Sequence, residues 1–239
     1  MIRVAITLAA MVGAAHADER DVAAIRQTAA LADGAFVPAN VLAPLGERAG
    51  HVLVAGGYDD GAAFSSAAEM VLARRVALRA GFAGTDREQH VNASVQVALA
   101  RGLHVAVGYD GMGHNTVPAM FARVGVAHGA GSIRTLASAA IQLGLAEDER
   151  AGELALAAYT PMSASTQLGW TAQGTLDLER DADEPEGEPD WQLRTGPYAA
   201  IAVHELVATA SLGVATSKPR LVDHTRTSMI AMLGLGRAF

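Results

Sequence analysis

Three residues of types that perform hydrolysis lie close together in the sequence, namely Ser94, His104 and Asp110. A serine, a histidine and a carboxylate form a nucleophilic triad when the fold brings them within hydrogen-bond distance of one another. No nucleophile motif surrounds these three residues, and a solvated polar face explains their grouping better than catalysis does. We therefore predict that the protein is not an enzyme, and we keep a hydrolase as the lowest alternative.

The other candidate motifs do not match known nucleotide or metal sites. The glycine-rich stretch 108–113 follows a predicted strand but does not match G-x-G-x-x-G, which favours a loop over a phosphate-binding turn. The eight histidines lack the spacing of the H-E-x-x-H motif. The acidic stretches 147–153 and 181–190 lack the spacing of an EF-hand. The sequence therefore predicts no cofactor and no metal site.

The composition is apolar, although the chain has no long apolar segments. Hydrophobic residues make up 51% and charged residues 18% of the 239 residues. No apolar run after the N-terminus reaches the ~20 residues of a transmembrane helix. The formal net charge is −7 and the chain has no block of basic residues, which argues against nucleic acid as the main partner. The absence of cysteine excludes disulfides and thiolate metal sites.

The stretch 91–109 shows the pattern that the rest of the chain repeats. Apolar residues alternate with polar or small ones along 91–99 and again along 103–109, with a short turn between the two runs. Because the side chains of a strand point alternately to its two faces, each run has one apolar and one polar face. A soluble sheet protein would bury the apolar face, whereas a membrane barrel would turn it to lipid.

About twelve such segments follow one another from residue 51, and most have the ~9–11 residues of a tilted membrane-spanning strand. Short turns alternate with longer polar connections, among them 59–61 and 85–90, as in barrels with short periplasmic turns. The stretches 67–80 and 137–158 are rich in helix formers, so a helix stays an alternative there. The predicted strands are 51–59, 64–73, 76–86, 89–100, 103–112, 116–130, 133–146, 150–161, 166–179, 190–204, 207–217 and 225–239.

The first 50 residues differ from the rest of the chain. Residues 1–17 combine a positively charged start, an apolar stretch and an Ala-His-Ala cleavage site, which predicts a signal peptide and export. The pattern of residues 18–32 predicts a short helix, and the prolines and glycines of 33–50 predict an irregular or extended segment. The segment 18–50 would remain in the periplasm or enter the barrel domain, residues 51–239, as a plug.

The chain ends with an alternating strand that closes on an aromatic residue, from Met229 to Phe239. Together with the signal peptide and the hairpins, this ending resembles bacterial outer-membrane β-barrel proteins of the small porin-like kind. The resemblance implies an all-β fold, an antiparallel up-and-down transmembrane β-barrel of about twelve strands, in the bacterial outer membrane. It also implies outer-membrane lipid and lipopolysaccharide as surroundings, and recognition of Phe239 by the barrel-assembly machinery. Arg237 departs from the pattern, because a lipid-facing aromatic is usual there.

The predicted function is that of a small pore or a structural barrel with a polar lumen, acidic outer loops and no catalysis. Small solutes are the candidate partners of an open lumen. A secreted or periplasmic soluble β-rich binding domain is the main alternative, because it would use the same alternation with the faces reversed. The residues predicted to line the lumen are Glu69, Arg79, Asn92, Gln96, His104, Asp110, Arg123, Glu153, Gln173, Asp177 and Arg194.

Overall fold

The described residues form one closed barrel of twelve β-strands in the computed structural model. The structure describes residues 50–59, 61–73, 75–85, 89–100, 103–111, 118–130, 132–145, 150–163, 165–178, 191–218 and 224–238. Within these ranges no helix is long and apolar enough to span a bilayer. The strands are β1 (Gly50–Asp59), β2 (Ala62–Ala73), β3 (Val76–Thr85), β4 (Gln89–Ala100), β5 (Leu103–Asp110), β6 (Ala119–Ala130), β7 (Ile133–Gly144), β8 (Arg150–Pro161), β9 (Thr166–Asp177), β10 (Trp191–Val203), β11 (Leu206–Lys218) and β12 (Arg226–Ala238).

Each strand pairs antiparallel with its neighbours in sequence, and the pairing of β1 with β12 closes the barrel. The closing register runs from His51 opposite Ala238 to Asp59 opposite Ile230. The predicted all-β fold, the up-and-down order and the number of strands are confirmed. The predicted strand boundaries agree with the observed ones to within three residues.

The alternation places large apolar side chains on the outside of the barrel. Val95, Leu99 and Val107 of β4 and β5 are 39%, 53% and 58% exposed, whereas Gln96 and His104 on the opposite face are 0% and 3% exposed. Every strand carries at least one such exposed large apolar side chain. A soluble sheet protein would bury these side chains, so the alternative of a soluble β-rich domain is wrong.

The two stretches rich in helix formers are strands. Most of stretch 67–80 lies in β2 and β3, where Glu69 pairs with Arg79 and Met70 with Leu78. Most of stretch 137–158 lies in β7 and β8. Helix propensity differs between ordinary residues by less than about 1 kcal/mol per residue, and tertiary packing overrides it. Here the period-2 alternation and the ladder of backbone hydrogen bonds decide the structure.

The lengths of the connections differ from the prediction at two places. The connection between β1 and β2 consists of residues 60–61, and that between β3 and β4 of residues 86–88. Both are nearly as short as the turns at the other end, because pairing continues to Tyr58 opposite Ala62 at the first of them. Gly61 has a φ of 156°, which glycine adopts most readily. The remaining connections at this end are longer and span 111–118, 145–149, 178–190 and 219–225.

Four sequence predictions concern residues outside the described part of the chain. These are the signal peptide 1–17, the segment 18–50 apart from Gly50, which begins β1, the acidic loop 181–190 and the terminal Phe239. The signal peptide, the helix or plug before the barrel, the acidic outer loop and the assembly signal therefore stay predictions.

A glycine and a tyrosine fix β9 against β10 on the inside of the barrel. Gly169 and Tyr198 are direct cross-strand partners, and the tyrosine ring occupies the position that a Cβ of residue 169 would need. Gln167 Nε2 donates a hydrogen bond to the Tyr198 hydroxyl at 2.8 Å. Both side chains are buried. The close contact therefore depends on the absence of a side chain at residue 169.

We expect Gly169→Ala to lower the free energy of unfolding by about 1–3 kcal/mol, because the added methyl displaces the Tyr198 ring from a packed site. Urea unfolding of the refolded barrel in lipid vesicles would measure the change. Gly174→Ala on the same strand is the control, since a Cβ there meets nothing closer than the Gln192 carbonyl oxygen at 4.0 Å. Equal stability of the two variants would contradict the role of the tyrosine contact.

Candidate functional site in the barrel lumen

The eleven residues that the sequence assigns to the lumen are all buried or half-buried in the structure. Along each strand their side chains alternate with the exposed apolar ones. Four of the eleven are half-buried, namely Asn92, Asp110, Asp177 and Arg194. Their role in lining a pore stays a prediction. The other seven are buried, namely Glu69, Arg79, Gln96, His104, Arg123, Glu153 and Gln173.

The first charged pair joins two adjacent strands. Glu69 on β2 and Arg79 on β3 are direct cross-strand partners, so their side chains leave the inner face side by side. Arg79 Nε lies 3.3 Å from Glu69 Oε2, and the two side chains are 5% and 7% exposed. Each charge therefore compensates the other in a position that is poorly accessible to water.

The second charged pair bridges two strands that are not neighbours. Arg123 on β6 and Glu153 on β8 are both in register with Ala140 of β7, which lies between them. Two strand spacings separate their Cα atoms by about 10 Å. The long side chains meet over the small alanine, where Arg123 Nη2 donates to the Glu153 carboxylate oxygens at 3.3 and 3.4 Å. These side chains are 3% and 2% exposed.

Other inward side chains extend the second pair into a cluster. Gln173 makes a side-chain hydrogen bond with Glu153, and Asp110 interacts electrostatically with both members of the pair. The Arg123 guanidinium lies over the Phe121 ring, 4.7 Å from its centroid, in a cation–π contact. Arg79 of the first pair also acts on Arg123 by charge repulsion. Electrostatic interactions therefore link three carboxylates and two guanidiniums on the inner face, namely those of Glu69, Asp110, Glu153, Arg79 and Arg123.

His104 lies apart from the other two residues of the candidate triad. Gln96 Nε2 donates to His104 Nδ1 at 3.3 Å. Ser94 is in register with Gly108, four residues along β5 from the histidine, which corresponds to about 13 Å. Asp110 is farther still along the same strand. The structure therefore does not assemble the triad, and nowhere in the described strands and loops do three histidine or acidic side chains converge as metal ligands.

The sequence analysis missed an apolar region of the inner face. Five large side chains pack in one buried cluster with alanines and are 2–8% exposed. They lie on β7, β8, β10 and β12, and period-2 alternation alone does not distinguish them from polar inward residues. The sequence did contain one indication of this cluster, because several positions predicted to face inward hold large apolar residues. We call this set the inner apolar patch, defined as Leu136, Tyr159, Tyr198, Ile230 and Met232.

Arg237 makes an ion pair at one rim of the barrel. Its Nη2 atom lies 3.1 Å from Glu205 Oε2 in the turn between β10 and β11, and the two side chains are 67% and 50% exposed. Leu206 at the start of β11 is in register with Arg237, which brings the turn beside it. The arginine therefore has a local carboxylate partner at the place where the sequence pattern leads one to expect an aromatic.

Solved structures with a similar fold are porins and outer-membrane channels. No protein-family model matches the sequence, and no curated protein sequence matches it significantly. The KdgM porin aligns with a TM-score of 0.56 and 7% identity over 79% of this chain and 99% of the porin. The NanC porin gives 0.54 and 9% identity over 79% and 98% of the two chains. An outer-membrane channel from Pseudomonas putida gives 0.55 and 11% identity over 82% and 97%.

These similarities concern the fold, because the identities are 7%, 9% and 11%. They confirm that the chain has the architecture of small porin-like outer-membrane barrels, as the sequence resemblance implied. The outer-membrane location of such neighbours agrees with the predicted localisation. The outward apolar side chains agree with it as well, because a barrel of this kind needs lipid around it.

We expect Arg123→Ala to lower the free energy of unfolding by about 3–5 kcal/mol, because it leaves the buried Glu153 charge without its partner. Arg237→Ala removes the same charge from an exposed pair and should change stability by about 0–1 kcal/mol. Urea unfolding in lipid vesicles compares the two variants. Adding Glu153→Leu to Arg123→Ala should restore most of the loss, because no buried charge then remains, and a double variant as unstable as Arg123→Ala would refute this account.

Proposed function

We propose that the protein is a pore of the bacterial outer membrane that passes small polar solutes. The proposal rests on the difference in polarity between the outer and the inner face of a closed barrel. Large apolar side chains cover the outside, while the Glu69–Arg79 and Arg123–Glu153 pairs project inward. The half-buried charges of Asp110, Asp177 and Arg194 on the same face are more accessible, and charged side chains facing the interior of a membrane barrel are suited to the hydration and selection of permeating solutes. The fold shared with porins supports the same function.

The lumen residues would act on solutes through opposite charges at short range. Guanidiniums and carboxylates on one wall create a strong local field without a large net charge, so solutes with both donors and acceptors would bind favourably. Asp110, Asp177 and Arg194 would extend this field, since they are half-buried on the inner face. The half-buried Asn92 would provide an uncharged hydrogen-bonding group, while the buried Gln96 and Gln173 would hold neighbouring side chains in place. No step in this mechanism requires a cofactor or a reaction.

The remaining sequence predictions complete this proposal. Residues 1–17 would direct export and be cleaved, residues 51–239 would form the membrane domain, and Phe239 would be read by the barrel-assembly machinery. The acidic stretch 181–190 would form a solvated loop at the outer surface, next to the lipopolysaccharide. A closed structural barrel is the second candidate, and the burial of the inner apolar patch favours it.

We expect the protein to behave as a closed barrel in outer-membrane fractions. It should resist extraction with carbonate and migrate differently on SDS gels with and without boiling, because barrel closure leaves no edge for detergent to open. A protein released by osmotic shock, with one gel mobility under both conditions, would contradict the membrane proposal.

We also expect ion conductance in planar bilayers, with a selectivity that depends on the inward charges. Arg194 is half-buried on the inner face, and Arg194→Gln should shift permeability towards cations by about fivefold, since a unit charge at ~4 Å in water contributes about 1 kcal/mol. The reversal potential in a salt gradient measures the shift. Arg237→Gln makes the same change in net charge at the exposed rim and should leave selectivity unchanged. Absence of conductance in every variant would refute the pore and leave the structural barrel.

A further inference from the structure

An apolar groove of about 580 Å³ crosses the outer wall of the barrel from β2 to β6. One side of the groove is low, because outward positions on three adjacent strands hold alanine, and the other side is high, because larger apolar residues stand there. We call it the outer groove, with its low side formed by Ala68, Ala80 and Ala93 and its high side by Met70, Leu78, Val95 and Val107.

The register of the sheet aligns the two sides of the outer groove. Each of the three alanines is the direct cross-strand partner of the next, and so is each of the larger residues. Glu69 and Arg79 lie between the two rows, but they pair with each other on the inner face. The groove therefore offers apolar surface to whatever surrounds the barrel.

The outer groove rises from the middle of the wall to one rim. Ala68 is near the middle of β2, whereas Tyr109 and Met120, which close the groove, lie next to the strand ends that connection 111–118 joins. This rim carries the longer connections, which face outwards in outer-membrane barrels. Phe64 and Phe82 form an aromatic pair near the same rim, with ring centroids 5.0 Å apart. Aromatic residues of this kind mark the membrane–water interface, so the groove leads from the outer headgroup level towards the bilayer centre.

We propose that the outer groove binds one acyl chain of a lipopolysaccharide molecule. The groove is continuous with the apolar wall that contacts lipid, so its occupant comes from the same surroundings. Its open end lies at the outward rim, and the outer leaflet of a bacterial outer membrane consists of lipopolysaccharide. Tyr109 is amphipathic and lies where the polar part of that lipid would begin. The proposal does not depend on whether the lumen conducts ions.

The curvature of the wall favours a flexible occupant over a second protein. The groove crosses four intervals between neighbouring strands, and in a barrel of twelve strands each interval turns the wall by about 30°. The groove therefore follows the wall through about 120°. A second barrel or another rigid protein touches a convex wall over a narrow sector only, whereas a flexible acyl chain can follow the whole course.

The length of the outer groove also corresponds to one acyl chain. Four strand intervals of about 4.8 Å give a course of about 19 Å. The hydrocarbon core of a bilayer is about 30 Å thick and contains two layers of chains, so one chain extends about 15 Å along the bilayer normal. An oblique course lengthens this distance, because the groove crosses tilted strands.

Packing gives a chain in the outer groove an advantage over a chain on a flat part of the wall. Lipid tails are as apolar as the side chains they touch, so differences in binding within a membrane come from van der Waals contact. A chain in the groove touches both rows and the backbone between them. Each contact is small, but their number increases along the whole course.

Lipid retention by variants with a filled groove tests the proposal. The protein is purified from outer membranes in a mild detergent, and mass spectrometry measures the lipopolysaccharide that remains bound to each chain. We expect the double variant Ala80→Leu with Ala93→Leu to retain at least about fivefold less than the unmodified protein, because the added side chains occupy the groove. Absence of lipopolysaccharide from the unmodified protein would overturn the proposal.

The matched control adds the same two side chains elsewhere on the outer wall. Ala208 and Ala210 are exposed on β11 and lie outside the groove, so Ala208→Leu with Ala210→Leu should retain as much lipopolysaccharide as the unmodified protein. Equal retention by the two double variants would overturn the role of the groove. The gel shift on boiling shows that each variant has formed the barrel.

A competition experiment with the unmodified protein identifies the source of the chain and does not depend on the folding of any variant. The barrel is refolded in vesicles that contain phosphatidylethanolamine and lipopolysaccharide in equal molar amounts, then recovered in the same detergent. We expect the retained lipid to be enriched in lipopolysaccharide by at least about threefold, since one groove next to the outward rim selects the lipid by packing. Retention of both lipids in equal amounts, or of phosphatidylethanolamine alone, would refute the assignment to lipopolysaccharide.

Discussion

The closure of β1 on β12 is the constraint on which the rest of the structure depends. Within a bilayer no water is available for unpaired backbone groups, so a sheet can cross it only as a closed barrel. Here the closing register runs from His51 opposite Ala238 to Asp59 opposite Ile230. A slip by one residue would turn every side chain of a strand to the other face. Closure and register together therefore determine that Leu233 meets lipid while Met232 faces inward.

The fold followed from the sequence because its main signal is local. Alternation of apolar and polar residues states which side chains share a face, whatever lies next to the strand. This signal located strands even in 67–80, where the residue types favour a helix. Loop lengths were less predictable at residues 60–61, because the point where pairing stops depends on how far the partner strand extends. The inward orientation of Arg123 and Glu153 was local as well and followed from the same pattern.

The contacts between inward residues could not be read from the sequence, because they depend on register across the sheet. Arg123 and Glu153 are 30 positions apart, and they meet because both align with Ala140. A larger residue at that position would fill the space through which the two side chains reach each other. Similarly, Arg237 finds Glu205 because the turn between β10 and β11 ends beside β12. Single-chain patterns hold no information about such pairs, which lie far apart along the chain.

The inner wall is divided into two regions that make opposite demands on what fills the barrel. The charged pairs lie on β2, β3, β6 and β8, and charges of this kind favour water or polar groups around them. The inner apolar patch lies on β7, β8, β10 and β12, and it favours the exclusion of water. A lumen uniformly filled with water would satisfy only the first region. Both regions are instead satisfied within the wall, because the charges pair with one another across the strands and the apolar side chains pack together, so the inward side chains themselves determine how much of the interior is left to water.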